Sequence, residues 1–198
     1  MIRNLQRIQI KVGTEVSPAF NLDPFMAIFA RWRKDKLHPA EWVDLADYAH
    51  MLRGPGIVLV GQRCNFAMDL SGPGPGILYA AKKGLSGSYT ERVLSAFKWC
   101  FDLANLLAAE NEFPKDLRLR TDLIELRFND RLETPNNAAT DSELQPIVRQ
   151  VLDTLFGAEN YELIPQADPA QTYGFSIAAN KAEHLDLLLE RAAASAHS

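Results

Sequence analysis

Cysteine and histidine, the residues that most often bind transition metals, are scarce in this chain. The sequence has two cysteines and four histidines among its 198 residues. Cys64 and Cys100 lie far apart, belong to no CxxC motif and have no histidine at ligand spacing, which argues against a zinc site and a secreted disulfide framework. The histidines are equally scattered: His38, His50, His184 and His197. We therefore predict that the protein holds no metal ion.

Motifs of the common cofactor and catalytic sites are also missing. The chain has no GxGxxG, Walker, HExxH, GxSxG or EF-hand pattern. A glycine-rich run, Gly72–Gly76, alternates glycine with proline, and proline lacks the N–H group that a phosphate-binding loop must donate. We interpret this run as a tight turn between strands and predict no cofactor. Because no catalytic motif is present, the sequence does not identify catalytic residues, which stay unknown.

Long apolar runs and an excess of positive charge are absent as well. No stretch approaches the ~18 apolar residues of a membrane helix, and the N-terminus has no apolar run of signal-peptide length. The formal net charge is -4. The basic cluster Arg31–Lys36 is typical of the exposed face and C-terminal end of a helix. We therefore predict a cytoplasmic protein that binds neither a membrane nor nucleic acid.

What the chain does contain is a series of clear strand patterns. Apolar and polar residues alternate in Ile8–Val12, which indicates a half-buried strand. Apolar runs bounded by glycine and proline predict three further strands, at Ile57–Gln62, Asn65–Leu70 and Gly76–Lys82. Two more segments, Tyr161–Ile164 and Tyr173–Ala179, are typical of a hairpin pair.

Two segments leave alternatives open. Trp42–His50 fits a helix loosely, but we favour a strand, because its two aspartates would lie badly on an inner helical face. In Leu117–Phe128 the apolar phase changes by one residue near Thr121 and Asp122. That change indicates either a bulge in one strand or two strands that meet there.

Helical periodicity and capping signals predict four helices. The first helix has Asp23 as its cap before Pro24, and the second is capped by Ser86 or Ser88. The third is capped by Asp141 or Ser142, has Pro146 near its first turn and ends at Gly157. The last helix runs from Lys181 to Ala194.

The order of these elements repeats along the chain, which suggests an internal duplication. Ile8–Val12 matches Ile124–Phe128 in pattern, and Gly76–Lys83 matches Gly174–Lys181 in a frame of Gly, three residues, Ala-Ala, one residue and Lys. The predicted fold class is α+β, with two related β-α-β-β-α halves, residues 1–112 and 117–195, in one domain of residues 1–198. We expect a mixed or mostly antiparallel sheet covered by helices, with a strand segment near residues 39–63 inserted in the first half.

A first group of polar residues is a candidate site. It lies in the inserted segment and the strands after it: Asp44, Asp47, Tyr48, His50, Gln62, Asn65 and Asp69. Carboxylates beside a histidine can perform acid–base chemistry or hold a cation where they converge. The simpler interpretation, which we favour, is that Asp47 accepts hydrogen bonds from the backbone of the Gly54-Pro55-Gly56 turn and that Asp69 caps the turn at Ser71.

A second group follows a predicted strand and precedes a helix, a common position for ligands. It comprises Asp130, Arg131 and Asn136, and the arginine fork is suited to a carboxylate. The simpler interpretation, an Asx-turn with a structural ion pair, is again the one we favour.

These observations favour a non-enzymatic cytoplasmic binding or assembly protein that binds a protein partner or associates with itself, in the form of a homo-oligomer. A small polar ligand is a further option. The alternative is a small enzyme that acts on a polar metabolite through Asp44, Asp47 and His50 or through the Asp130-Arg131 loop. The enzyme needs those groups to meet in one concave pocket, whereas the binding protein needs exposed apolar surface.

Overall fold

A computed structural model of the chain describes residues 2–17, 20–38 and 40–194. Within these residues the fold is α+β, with eight strands in one antiparallel sheet and four helices. The strands are β1 Ile8–Glu15, β2 Trp42–Tyr48, β3 Gly56–Gly61, β4 Cys64–Asp69, β5 Gly76–Ala81, β6 Arg118–Phe128, β7 Tyr161–Pro165 and β8 Gly174–Ala179. The helices are α1 Asp23–Lys34, α2 Tyr89–Ala108, α3 Ala138–Phe156 and α4 Leu185–Ala194.

The sheet has the order β2-β3-β4-β5-β1-β6-β8-β7, and every neighbouring pair is antiparallel. We expected a mixed or mostly antiparallel sheet, and the structure shows a fully antiparallel one. Ile10, which is fully buried, is paired with Tyr79 on one side and with Leu126 on the other. Because side chains alternate along a strand, such pairs place all the core residues of the sheet on one face, and the helices pack there.

The four strands β2 to β5 agree with the sequence patterns to within about two residues. Trp42–Tyr48 is a strand, as favoured, and β3, β4 and β5 each begin and end close to the predicted bounds. The Gly72–Gly76 run is the turn between β4 and β5. Gly56 takes a positive φ of 64°, and a Cβ there would lie 2.1 Å from the Met68 carbonyl oxygen, so the start of β3 requires glycine.

The change of apolar phase in β6 is a bulge within one strand. The pairing with β1 moves from Val12–Ile124 directly to Gly13–Arg120, so residues 121–123 are extra on the β6 side. Thr121 is buried there, and its hydroxyl donates a hydrogen bond of 2.6 Å to the Glu183 carbonyl oxygen. The bulge therefore lets one strand present apolar residues in both phases.

The start of α2 confirms one of the two predicted caps. Ser88 has an extended backbone, and its side chain exchanges hydrogen bonds with the third helical residue, Glu91, in a capping box. This helix is the central one of the fold, because it packs on β1 and β5 and also contacts α3 and α4.

Three other helix starts correct the sequence predictions. Asn137, rather than Asp141 or Ser142, caps α3, and its side chain accepts from the Thr140 amide at 3.0 Å. Pro146 consequently lies inside the helix. Asp23 is the first residue of α1 and not its cap, which is Leu22. Helix α4 begins at Leu185 and not at residue 181.

Candidate functional site

The helices cover one face of the sheet, and the other face carries the strand residues that alternate with the core residues. We call it the open face. One row of paired residues crosses it from edge to edge: Ala46, Val58, Ala67, Leu78, Lys11, Glu125, Ser176 and Ile164. Antiparallel sheets often have one solvated face, but that face is normally polar. Here much of it is apolar or small.

A concave groove of about 520 Å³ lies on the open face, between the turn of residues 73–75 and strands β6, β8 and β7. We call it the open-face groove. Pro73 and Pro75 form one wall. Leu123 and Ile164, each 45% exposed, lie on the other side, and Ala178 is between the strands that carry them. The volume falls in the range of small-molecule sites, which are mostly apolar and few per protein.

Lys11 fastens the proline-rich wall to the sheet. Its Nζ donates to Asp69 Oδ2 at 2.7 Å, to the Ser71 carbonyl oxygen at 2.6 Å and to the Gly74 carbonyl oxygen at 2.7 Å. The side chains of Lys11 and Asp69 are only 4% and 2% exposed. All three ammonium protons thus have acceptors, which is the condition under which a buried charge is tolerated. The wall is held before any ligand arrives.

Two charged groups of the groove lining, Arg120 and Glu125, are paired with neighbouring side chains, and Glu15 adds a third charge to the lining. Arg120 donates from Nε and from an Nη to the two oxygens of Asp122, at 2.8 and 2.7 Å. These hydrogen bonds hold the pKa of Asp122 below its ordinary value and raise the pKa of Arg120. Arg127 donates to Glu125 through one Nη. Arg120 and Glu125 at the groove are thus each engaged with a side chain two residues away along β6.

The two cysteines lie in the core and not in the groove. Both cysteines are free and buried; burial raises the pKa of the Cys64 thiol to about 12 and raises that of Cys100 further. At neutral pH they are thiols and not nucleophilic thiolates. Across the described ranges no group of three or more His, Cys, Asp or Glu side chains is placed to hold a metal ion.

The structure distributes the first polar group over the β2 edge and along the open face. Asp44 lies 3.5 Å from Arg33 and accepts from the Leu45 amide at 2.8 Å. Asp47 accepts from the Ala49 amide, so it serves the turn after β2. Tyr48 and His50 are exposed beside this turn.

The remaining three members of this group lie on or between β3 and β4. Gln62 is exposed in the turn between the two strands, and Asn65 faces Val60 and Ala80 across the open face. Asp69 is the buried partner of Lys11 and also accepts from the Ser71 hydroxyl. Asp69 therefore makes the contact with Ser71 that the simpler interpretation expects, whereas Asp47 accepts from the Ala49 amide and not from the Gly54-Pro55-Gly56 turn.

The second polar group builds the connection from β6 to α3. Asp130 accepts from the Leu132 and Glu133 amides and lies 3.8 Å from Arg7. Arg131 donates to the Ala170 carbonyl oxygen, and Asn136 donates to the carbonyl oxygens of residues 166 and 168. These contacts are those of an Asx-turn and a structural ion pair.

The β2 members of the first group are far from the second group. In the sheet order five strand spacings separate β2, which carries Asp44, Asp47 and Tyr48, from β6, which ends at the second group. At ~4.8 Å a spacing this amounts to roughly 24 Å. One small ligand cannot contact these β2 residues and the second group together. Whether either group binds a ligand by itself stays a prediction.

The sequence analysis missed the residues of the groove, although a signal for them exists. Leu123-Ile124 and Leu163-Ile164 are apolar pairs inside strands. Since neighbouring side chains point to opposite faces, such a pair places apolar atoms on both faces of the sheet. The pairs predict an apolar open face, but only the order β6-β8-β7 brings them together.

The described helices include none that is long and apolar enough to cross a membrane. No family model, no curated protein and no solved structure matches the chain.

Proposed function

We propose that this protein is a non-enzymatic binding protein and that it holds a small, mostly apolar molecule in the open-face groove. One observation carries the proposal: an apolar groove of about 520 Å³ lies on an uncovered sheet face, with a wall that Lys11 fastens in place. A preformed wall lowers the cost of ordering the site on binding. Paired rim charges leave the apolar surface as the main source of affinity.

The residues around the groove also indicate the shape of the ligand. Gly13, Ser176 and Ala178 are small, so a flat ligand can approach the backbone of β1 and β8. The Ser176 hydroxyl and the Glu15 carboxylate offer polar contacts at separate points of the lining. We expect a flat, largely apolar molecule with one or two hydrogen-bonding groups.

An apolar fluorescent dye tests this proposal. We expect anilinonaphthalene sulfonate to bind the folded chain, and Ala178→Trp to weaken that binding about tenfold or more, because an indole would fill the groove. Ala80→Trp is the matched control, since Ala80 is a half-buried alanine on the same face outside the groove. Equal affinities of the two variants would reject the groove as the site. Far-ultraviolet circular dichroism confirms that both variants fold.

Self-association is a second candidate, favoured by the exposed edge strand β2. Its outer edge has no partner strand among the described residues, and Val43 on it is 54% exposed. Free edges pair readily with a second strand. We expect Val43→Lys to lower the sedimentation coefficient of a wild-type dimer to that of a monomer. A wild-type monomer at all concentrations would exclude this form of assembly.

The enzymatic alternative has less support. Its carboxylates, Asp44, Asp47 and Asp130, each accept hydrogen bonds from nearby backbone amides. A general base must lie within hydrogen-bond reach of a bound substrate, and none of these three carboxylates lines the open-face groove. Cytoplasmic location remains a prediction from the sequence.

We also propose that the two halves arose by duplication. Outward from the central β1–β6 pair, the first half continues with β5 and β4, and the second continues with β8 and β7. The hairpin of β2 and β3, which lies beyond β4 at one edge of the sheet, is formed by the segment that we interpret as an insertion in the first half. The groove takes its wall from the first half and its far side from the second, which is compatible with one site per chain.

A further inference from the structure

The connection from α1 to β2 holds a histidine in the interior. The His38 side chain is 4% exposed, and both of its ring nitrogens are closed off from solvent. Its ring centre lies 4.5 Å from that of Trp99, edge to face, and 6.2 Å from that of Trp42, in a stacked arrangement. Histidine titrates closest to neutral pH among the side chains, so a buried histidine can couple the structure around it to pH.

The two tryptophans link this connection to the rest of the fold. Trp99 lies on α2, and Trp42 is the first residue of β2. Trp42 donates from its indole nitrogen to the Leu37 carbonyl oxygen at 2.6 Å, which ties the connection to the edge of the sheet. The packing of His38 against both indole rings therefore helps to hold the connection on α2 and β2.

The site fits a neutral imidazole and leaves a charged one unsatisfied. Neither ring nitrogen has a hydrogen-bond partner among the described residues, although Nε2 lies 3.4 Å from Asp102 Oδ2 on α2. A neutral ring carries one N–H group, which the carboxylate favours at Nε2, whereas an imidazolium carries two. The second N–H, at Nδ1, would be charged, buried and without an acceptor. Burying an unpaired charge costs much more than burying an unpaired neutral acceptor.

The charges around the connection do not compensate for a proton on His38. The nearest carboxylate, Asp102, is 47% exposed, so water screens much of its attraction. The other charged groups that line the surface around His38, Trp42 and Trp99 are exposed: Lys36, Glu41, Arg63 and Lys98. Burial is the dominant effect and lowers the pKa of His38 below its ordinary value of 6.5, although Asp102 opposes this effect.

The backbone of the connection is held in a disfavoured conformation. Lys36, His38 and Glu41 have φ angles of 51°, 73° and 56°, in the left-handed region that residues with a side chain rarely adopt. Such residues persist only where the surrounding contacts fix them, and they gather at switch regions. The packing of His38 and the hydrogen bond from Trp42 are contacts of this kind, so losing the first allows the backbone to relax.

We propose that His38 is an acid-sensitive latch: a proton on its ring detaches the α1–β2 connection from Trp42 and Trp99, so that Nδ1 reaches water. The latch is closed while the ring is neutral. Opening hydrates the charged ring, relaxes the left-handed backbone and uncovers the two indole rings. The device is separate from the proposed binding function, because none of His38, Trp42 and Trp99 lines the open-face groove.

The direction of the pH dependence follows from the two forms. In the open form His38 lies in water and titrates near its ordinary pKa of 6.5, whereas burial holds the pKa lower in the closed form. The open form therefore binds the proton more tightly, and acid favours it. The closed form is fully favoured above the ordinary value and is lost as the pH falls below it. Because closure competes with protonation, we expect a midpoint below pH 6.5.

Tryptophan fluorescence and nitrogen NMR of the full-length chain test the latch between about pH 7.5 and pH 5. We expect the emission to move to longer wavelength and acrylamide quenching to increase in one reversible transition, while far-ultraviolet circular dichroism stays constant. The ring nitrogens of His38, assigned by their loss in His38→Gln, should titrate with the same midpoint. A constant emission, or a ring that gains its proton above pH 6.5 without a change in emission, overturns the proposal.

A variant of Asp102 distinguishes a titrating latch from ordinary packing. Asp102→Asn removes the charge that opposes the effect of burial, so the midpoint should move to lower pH. Glu190→Gln, at an exposed carboxylate on α4, leaves the midpoint in place. Because Asp102 is half exposed, its variant does not depend on repacking the core. An unchanged midpoint in Asp102→Asn contradicts the latch.

A matched pair of histidine variants identifies the group that titrates. His38→Gln has no titratable group and should abolish the transition, whereas His184→Gln, at an exposed histidine, keeps it. A transition that persists in a folded His38→Gln chain contradicts the latch. Ala178→Trp, which fills the groove, leaves the transition intact, so the latch and the proposed binding function fail separately.

Discussion

The buried ammonium group of Lys11 holds the turn between β4 and β5 against the sheet. Its ammonium group joins Asp69 to the backbone of the turn at residues 71 and 74. Lys11→Met would leave the Asp69 carboxylate buried with only the Ser71 hydroxyl as a side-chain donor. Removing one member of a buried ion pair costs about 3–5 kcal/mol, so we expect the free energy of unfolding in urea to fall by this amount.

Two further variants separate the charge from the packing. Lys11→Met with Asp69→Leu removes both charges, and we expect it to recover most of the loss, because no unpaired charge remains. Arg63→Ala breaks an exposed pair with Glu41, in which the two side chains are 59% and 50% exposed, and changes the stability by less than about 1 kcal/mol. If Lys11→Met alone were as stable as the wild type, the turn would not be held through Lys11.

Two glycines near the same turn should respond to alanine in opposite ways. Gly56→Ala brings a Cβ to 2.1 Å from the Met68 carbonyl oxygen at a φ of 64°, and we expect a loss of at least about 1–3 kcal/mol. Gly74→Ala meets no described atom within 4 Å, and its φ is not left-handed. It should be neutral or stabilise by up to ~1 kcal/mol, because alanine restricts the unfolded chain. Urea denaturation of both variants measures the contrast, and equal losses would contradict it.

At the scale of elements, the capping box of α2 makes the stability depend on pH. Glu91 accepts from the Ser88 amide at 2.6 Å and from its hydroxyl at 2.8 Å, and these bonds lower the pKa of Glu91. A lowered carboxyl pKa adds stability that is present above the ordinary value of about 4.5 and is lost as the pH falls through the folded-state value. We expect Glu91→Gln to lower the melting temperature at pH 7 and to match the wild type in strong acid.

The control for this variant is Glu190→Gln, an exposed residue within α4. Its melting temperature should follow that of the wild type across the same pH range. A Glu91→Gln effect that is constant with pH would mean that the charge of the carboxylate does not contribute to the cap.

Elements with a strict local pattern were predictable, and those decided by distant contacts were not. The alternation of Ile8–Val12 and the glycine and proline residues around β3 to β5 determine those strands almost alone. The polar run before α3 contains several residues that can cap a helix. Asn137 caps it, whereas Asp141 lies within the helix and its carboxylate accepts from the Tyr173 hydroxyl at 3.0 Å.

The same limit applies to the sites. Lys11 looks like an ordinary polar residue of an alternating strand, and it becomes the anchor of a loop only because β5 lies beside β1. In the same way, Nε2 of the buried His38 lies 3.4 Å from Asp102 Oδ2 on α2, and only the packed structure brings these two side chains together. Long-range pairing cannot be derived from periodicity.

At the scale of the whole molecule, the centre of the sheet joins the predicted halves. β1 and β6 form the longest strand pair, and α2 of the first half packs against α3 and α4 of the second. We therefore expect residues 1–198 to unfold as one cooperative domain. The chain offers separate probes, because Trp32, Trp42 and Trp99 all lie in the first half, whereas circular dichroism reports on both halves.

A variant in the second half makes this test decisive. Leu152 on α3 is fully buried, and Leu152→Ala should cost about 2–5 kcal/mol. If the chain unfolds as one unit, the urea midpoint measured by tryptophan fluorescence falls with the midpoint measured by circular dichroism, although no tryptophan lies in the altered half. Leu132→Ala, at a residue 95% exposed, leaves both midpoints in place. A fluorescence midpoint that stays constant in Leu152→Ala would show that the halves unfold independently, and hence that the β1–β6 contact joins two stable domains.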